Sequence, residues 1–173
     1  MKHATLAFML FLMAALCAAA QTPVPSGLFG AISYLPQHVY SASTNFNGGV
    51  GANVSFSERI GSSATYAITG VDIVPKGGLK NLSLTTVPSA GIEQVIYESK
   101  SGKSILTLHG APGATLPTGP TDTFNFAMST GFKYFRKINA NNAVFFKTSY
   151  IFTAGTGSAS SLQFGVGFAH AAN

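Results

Sequence analysis

FNFAMSTGFKYF, residues 124–135, alternates between two kinds of side chain along its whole length. The apolar face carries Phe124, Phe126, Met128, Thr130, Phe132 and Tyr134, and the other face carries Asn125, Ala127, Ser129, Gly131 and Lys133. A period of two with aromatic and β-branched residues predicts a β-strand. A strand of about 12 residues exceeds the usual length of ~5–6 in soluble domains. It suits a tilted strand that crosses a membrane, which needs about 9–11 residues.

The same alternation returns in other segments, where one face is apolar and the other is polar or small. The clearest of these segments are 48–57, 144–152 and 162–168. Less regular strands are predicted at 27–35, 64–74, 89–97 and 104–111. In the segment 89–97, the apolar residues Val95 and Tyr97 fall on the same face as the charged Glu93, so the two faces are not cleanly separated. Residues 79–87 either extend a strand or form an extra hairpin, so the central prediction is eight strands.

The connections between these strands alternate in length and composition. The longer set is rich in Pro, Gly, Ser, Thr and Asn and comprises 36–46, 75–88, 112–123 and 153–161. The shorter set carries most of the charged residues outside the strands and comprises 58–63, 98–103 and 136–142. Transmembrane β-barrels have this asymmetry, with short turns on the periplasmic side and longer loops outside.

The composition argues against an ordinary soluble domain. Charged residues make up 9% of the chain, against about 25% in soluble domains. A soluble surface normally needs far more charge to stay dispersed. The positive residues are scattered rather than gathered in a stripe, so nucleic-acid binding is disfavoured. After residue 20 no apolar stretch approaches the ~20 residues of a membrane-spanning helix.

The first 20 residues have the three parts of a cleavable secretory signal. A charged start precedes an apolar run at 6–16, and Ala18 to Ala20 supply small residues at the cleavage site. The apolar run is too short for a transmembrane anchor. Cys17 is the only cysteine and leaves with the signal. We therefore expect an exported chain with a signal peptide at 1–20 and one domain at 21–173.

The signal peptide, the alternating strands, their aromatic faces and the alternating connections together resemble a known family. They are similar to the small eight-stranded outer-membrane β-barrels of Gram-negative bacteria, the OmpA/OmpX-like group. The last predicted strand, Leu162 to Phe168, is the most specific part. Such barrels end on an alternating strand that closes with an aromatic residue, which the insertion machinery reads. Phe164 and Phe168 fit, and Ala169 to Asn173 follow them.

The resemblance implies an all-β, closed, antiparallel, up-and-down transmembrane barrel of about eight strands. It implies the outer membrane as location, reached through the periplasm. Outer-membrane lipid and the outer-membrane insertion machinery are the partners it implies.

One histidine and four charged residues fall on faces that are expected to point into the barrel. They are Asp72, Glu93, His109, Lys133 and Lys147. A charge exposed to hydrocarbon is expensive, so an inward polar network is the expected arrangement. The network either plugs the barrel with paired charges or lines a narrow ion-conducting pore. The plug is favoured, because eight strands enclose little open space. Inward glycines would relieve crowding there, namely Gly49, Gly51, Gly131, Gly165 and Gly167.

The sequence predicts neither an enzyme nor a cofactor. Some eight-stranded outer-membrane barrels are lipid A deacylases that use a histidine and a serine two residues later. Here Ala111 stands two residues after His109, and Ala172 stands two residues after His170. These two histidines and His38 are too dispersed along the chain to suggest a metal site.

Two classes of function remain open from the sequence. The leading hypothesis is an integral outer-membrane barrel with a structural or surface-interaction role, whose longer connections could bind partners from a rigid scaffold. The alternative is a secreted, soluble, lipocalin-like barrel that binds a small apolar ligand. The position of the apolar face discriminates between them, because the first hypothesis places it outside and the second inside. The residues that report on it are Phe124, Phe126, Phe132, Val144, Phe146, Phe152, Phe164 and Phe168.

Overall fold

The computed structural model describes residues 26–35, 49–61, 64–76, 83–116, 124–155 and 160–171. These residues form eight strands: β1 (Gly27–Leu35), β2 (Gly49–Arg59), β3 (Thr65–Lys76), β4 (Ser83–Glu98), β5 (Ser104–Thr115), β6 (Asn125–Lys137), β7 (Asn142–Ala154) and β8 (Ser160–Ala171). Across the described ranges, no helix is long and apolar enough to span a membrane. The predicted signal peptide lies outside them.

Each strand pairs with the next in antiparallel fashion, and the last strand returns to the first. In β1, Phe29 stands opposite Ser55 of β2 on one side and Ala169 of β8 on the other. The strands therefore form a closed barrel in sequence order. Closure gives every strand a hydrogen-bonding partner on both sides, as a bilayer demands of strands within it. The prediction of an all-β, closed, antiparallel, up-and-down barrel of eight strands is confirmed.

The alternating sequence sorts side chains between the two surfaces of the barrel wall. In β7, Phe145 and Lys147 are buried inside, whereas Phe146 and Phe152 are 47% and 38% exposed. All the residues that report on the apolar face are exposed on the outside: Phe124, Phe126, Phe132, Val144, Phe146, Phe152, Phe164 and Phe168. A lipocalin-like barrel would bury them around a ligand, so that alternative is wrong.

Several strands are longer than the sequence pattern indicates. Since β4 begins at Ser83 and β5 ends at Thr115, parts of the predicted long connections are strand. Residues 83–87 extend β4 and form no extra hairpin. The prolines Pro88 and Pro112 obscured both strands, because proline lacks the N–H that a ladder uses and is rare inside sheets.

The other long connections follow the same trend. Thr153 and Ala154 belong to β7, and Ser160 and Ser161 belong to β8, so the predicted connection at 153–161 is partly strand. The connection at 36–46 lies outside the described residues, and so do residues 77–82, 117–123 and 156–159 of the other three.

A β-bulge in β4 explains the irregular pattern around Glu93. The register between β4 and β5 shifts between Val95 and Tyr97, and the extra residue reverses the alternation. Val95 is therefore buried with Glu93, while Tyr97 is 54% exposed on the outside. The prediction that Tyr97 shares the face of Glu93 is wrong. It assumed strict alternation along the sequence, and the extra residue of the bulge breaks that alternation.

Inward glycines stand where neighbouring strands approach too closely for a side chain. A Cβ added to Gly91 would lie 2.1 Å from the carbonyl oxygen of Gly110, and one added to Gly131 would lie 2.0 Å from that of Thr148. Comparable approaches occur at Gly70, Gly113 and Gly167. The five close approaches lie between β2 and β3, β4 and β5, β6 and β7, and β8 and β1. The glycines therefore mark bends of the wall at alternate strand pairs, as curved sheets require.

Ala169 to Ala171, which follow Phe168, continue the last strand. β8 extends to Ala171, with Ala169 buried inside and His170 exposed. The Nδ1 atom of His170 lies 2.8 Å from the side-chain oxygen of Asn142. The strand thus closes the barrel, pairing with β1 from Phe164 to Ala171 and with β7 from Ser160 to His170.

Candidate functional site

Three successive layers of the barrel interior follow the inward residues of β7 from Phe145 to Ile151. Phe145 belongs to an apolar cluster near the short turns, Lys147 and Ser149 to a polar layer, and Ile151 to a second apolar cluster. The second cluster consists of Val74, Val87, Ala127 and Ile151. Both apolar clusters come from strands on opposite sides of the barrel. The polar layer is therefore covered at both ends by apolar side chains.

The first apolar cluster is built around three phenylalanine rings. The ring of Phe29 meets those of Phe135 and Phe145 edge-on at centroid distances of 5.8 and 6.1 Å, and the latter two lie 5.3 Å apart. Such distances suit favourable aromatic pairing. Tyr66 and Ile105 are fully buried in the same cluster. We refer to this group as the aromatic plug.

In the polar layer, one ion pair crosses the barrel from β7 to β3. The Nζ atom of Lys147 lies 2.9 Å from Oδ1 of Asp72, and both side chains are nearly inaccessible to solvent. The side-chain amide of Asn53 donates a second hydrogen bond of 3.0 Å to the same oxygen. Ser55 in turn donates to the amide oxygen of Asn53 at 3.3 Å. The carboxylate is thus neutralised by a cation and fixed by a neutral donor.

A second ion pair joins β6 to β4 across the intervening β5. The Nζ atom of Lys133 lies 2.7 Å from Oε2 of Glu93, again with both side chains buried. The hydroxyl of Thr107, on β5, donates a short hydrogen bond to the other carboxylate oxygen. The ammonium group also lies 5.3 Å from the ring centroid of Phe29, a cation–π distance. This pair therefore rests directly on the aromatic plug.

The two lysines stand opposite each other in register on β6 and β7. Like charges in that position repel, and burial would make the repulsion worse. Their ammonium groups instead reach different carboxylates, Glu93 and Asp72, on strands β4 and β3. The four charges sum to zero. The interior thus carries two neutral cross-links and no excess charge among these four residues.

His109 lies in the same layer but belongs to neither of the two ion pairs. It stands opposite Glu93 in the register between β4 and β5 and is 4% exposed. Its Nδ1 atom has no hydrogen-bond partner among the described residues. It lines a small, partly open cavity of about 20 Å³ together with both lysines and Asp72. A polar cavity of this size holds about one water molecule.

The structure thus places all five of the predicted residues in one buried layer and joins four of them in two pairs. The sequence analysis missed the neutral partners that complete the layer, Asn53, Thr107, Ser149 and Gln163. The sequence could have revealed them, because all four occupy inward-facing positions in the alternation of their strands. Within the described part of the chain, no group of three or more His, Cys, Asp or Glu residues is arranged to hold a metal ion.

A closed barrel of eight antiparallel strands, with an apolar outer wall and paired charges inside, defines the class of small transmembrane β-barrels. Among solved structures, the chain is similar to the Yersinia pestis outer membrane protein Ail in a phospholipid bilayer nanodisc. The two share 13% identity with a TM-score of 0.46, over 83% of this chain and 98% of that one. At these values, the class rests on the closed strand order and on the outer wall described above. No family model and no curated protein matches the sequence.

Proposed function

We propose that the chain is an integral outer-membrane barrel of a Gram-negative bacterium with a structural or surface-interaction role. The observation that carries the proposal is the inversion of the usual soluble pattern. Phe126 and Phe132 are half exposed on the outer wall, while Lys133 and Lys147 are almost completely buried. In water this arrangement would leave a large apolar surface exposed, whereas in a bilayer the apolar wall contacts hydrocarbon and the charges are kept away from it.

Export and insertion belong to the same proposal. The sequence of residues 1–20 supports delivery to the periplasm as a cleaved secretory signal. The last strand supports recognition by the insertion machinery, because it alternates through Phe164 and Phe168 and lies at the closing seam of the barrel. The outer membrane is the bilayer into which exported β-barrels insert.

The connections on the rim opposite the short turns are the proposed contact surface for partners. They fall within the predicted ranges 36–46, 75–88, 112–123 and 153–161. In the proposed orientation these connections face the exterior of the cell. Because the barrel wall holds their ends in fixed positions, binding would follow the general pattern of variable loops on a rigid scaffold.

Membrane fractionation with detergent extraction tests the proposal. The protein should leave the envelope fraction only with detergent, and its folded form should migrate differently from its heated form on a gel. Protease added to intact cells should cut in the long connections and leave the short turns intact. Release in soluble form without detergent would contradict the proposal, as would cleavage confined to the short turns.

A narrow ion-conducting pore is the second candidate, and the buried charges of the polar layer favour it. The aromatic plug and the cluster around Ile151 oppose it, because they cover that layer at both ends. We therefore expect negligible conductance from the purified protein in a planar bilayer. Reproducible single-channel currents would favour the pore over the plugged barrel.

A further inference from the structure

The exposed charges of the barrel are concentrated at the rim of the short turns. Lys100 and Lys103 lie in the turn between β4 and β5, and Arg136 and Lys137 end β6. The backbone N–H of Lys137 donates to the carbonyl of Lys103 at 2.9 Å, so these two residues are direct neighbours. Three of the four are exposed and Lys137 is half-buried. We refer to these four residues as the basic rim.

The turn that carries two of these lysines has a defined shape. Ser99 and Ser104 close it through a backbone hydrogen bond of 2.9 Å, and the hydroxyl of Ser99 accepts a further bond from the N–H of Ser104 at 3.0 Å. Gly102 supplies the left-handed conformation that the turn needs, with φ of 65°. Lys100 and Lys103 therefore project from a hydrogen-bonded turn, which reduces the entropy lost when they bind an anion.

Arg136 is oriented by its neighbours. One guanidinium nitrogen donates to the hydroxyl oxygen of Ser104 at 2.7 Å, and the hydroxyl of Tyr134 donates to the same oxygen at 3.1 Å. A guanidinium has five N–H donors, so this bond occupies one of them. The remaining fork suits the oxygens of a phosphate, which arginine binds in bidentate fashion.

An apolar surface adjoins the basic rim on the outer wall. Tyr97 is 54% exposed, Tyr134 is 42% exposed and Ile138 is 62% exposed. Exposed tyrosines at the end of a membrane-spanning wall are typical of the level at which lipid headgroups lie. Cations beside such residues face the phosphate layer. A soluble polyanion would gain nothing from the apolar side of this surface.

The local charge balance also favours an anionic ligand. The described residues of the short turns and adjoining strand ends carry the four cations of the basic rim together with Arg59, Glu58 and Glu98. Positive charge thus exceeds negative charge at this rim, whereas the four interior charges cancel. Neighbouring strands lie ~4.8 Å apart, so the cations of the turn before β5 and those at the end of β6 act together within a Debye length of about 8 Å.

We propose that the basic rim binds the phosphate of an anionic phospholipid headgroup in the leaflet that surrounds the short turns. Tyr97, Tyr134 and Ile138 contact the first part of its acyl chains. The inference rests on the proposed membrane insertion and adds a lipid class to it. Each cation near an anionic membrane contributes about 1 kcal/mol, which corresponds to about a fivefold change in affinity.

The test uses the full mature chain, folded into nanodiscs that contain equal amounts of phosphatidylglycerol and phosphatidylcholine. Native mass spectrometry measures which lipid the released barrel retains. The wild type should retain phosphatidylglycerol preferentially, and K100Q/K103Q should reduce that preference by up to about 25-fold. The matched control is K76Q/K80Q, which removes Lys76 at the end of β3, on the other rim, and Lys80 from the sequence that follows it. It should keep the preference.

Equal retention of the two lipids by the wild type, or equal losses in the two double variants, would overturn the inference. A soluble polyanion is the competing partner, and tripolyphosphate added to the protein in neutral detergent tests it. Binding of tripolyphosphate that K100Q/K103Q abolishes, without any lipid preference in nanodiscs, would also overturn it. Insertion into pure phosphatidylcholine vesicles, followed by the heat-shifted gel, reports separately on the proposed membrane barrel.

Discussion

Replacing Lys133 by methionine would test whether the buried charges form balanced pairs. The ammonium of Lys133 lies 2.7 Å from the carboxylate of Glu93, and both side chains are nearly inaccessible. K133M keeps an unbranched side chain of similar size but removes the charge. The Glu93 carboxylate then retains the hydroxyl of Thr107 and loses its paired cation. The variant should be less stable because a buried carboxylate is left without its cation.

The expected loss of stability follows from that burial. Removing one member of a buried ion pair costs about 3–5 kcal/mol. In the double variant E93Q/K133M, no charge remains at the pair, and the amide oxygen of the new glutamine can still accept the hydrogen bond of Thr107. We therefore expect the double variant to lie within about 1 kcal/mol of the wild type, since neutral replacement of a buried pair is often tolerated.

Urea unfolding in neutral detergent measures these differences. The chain has no tryptophan, so far-ultraviolet circular dichroism is the suitable signal. With a slope of about 2 kcal/mol per M, K133M should lower the urea midpoint by about 2 M. K100M, on the exposed turn, is the matched control and should leave it unchanged. Equal stability of K133M and the wild type would refute the reasoning, and so would a double variant as unstable as the single one.

Three further predictions concern the wall and the plug. G131V should reduce the yield of folded barrel, because its side chain would meet the backbone of Thr148; G30V, at a glycine with open space around it, should fold normally on the heat-shifted gel. F145A should lower the free energy of unfolding by about 3–5 kcal/mol, measured by urea unfolding, because it empties one ring position of the aromatic plug. F132R should lower the free energy of unfolding in vesicles by about 2–4 kcal/mol, measured by urea unfolding, whereas A140R, at an exposed position of a short turn, should leave it unchanged.

The strands and their faces could be predicted because a period of two is a local property of the sequence. In β6 and β7 the outward face is mostly large and apolar, while the inward face is mostly small, polar or charged apart from Phe135, Phe145 and Ile151. The two predicted faces of each strand are confirmed. β1 was predicted with its observed bounds for the same reason. Once the alternation is known, inward placement of Lys133 and Lys147 follows from the cost of a charge in lipid.

Strand pairing across the barrel could not be predicted in the same way. The contact between Lys147 and Asp72 joins residues that are 75 positions apart, and no local pattern records which carboxylate each lysine reaches. The bulge in β4 could not be predicted for a related reason. It is defined by the pairing with β5, and in the sequence it appears only as an irregular alternation. Pro88 and Pro112 concealed the full length of two strands, because their usual meaning in sheets is an end or an edge.

The paired charges matter more for the register of the barrel than for its stability. A buried ion pair gives little net stabilisation compared with a well-packed apolar pair. However, a slip of one residue would turn every side chain of a strand to the opposite face. For β6 or β7, such a slip would move a lysine from its carboxylate into lipid and bring phenylalanines inside.

Each misplaced lysine would cost about 2–4 kcal/mol near the middle of the bilayer and would leave Glu93 or Asp72 buried without a cation. The outer wall alone offers weaker discrimination, because the inward faces also contain Phe135 and Phe145. The charges therefore favour one strand register. Apolar packing alone would give a smaller difference in free energy between that register and the others. The bulge in β4 serves the same end, since it keeps Glu93 inside while it turns Tyr97 to the outside of the barrel.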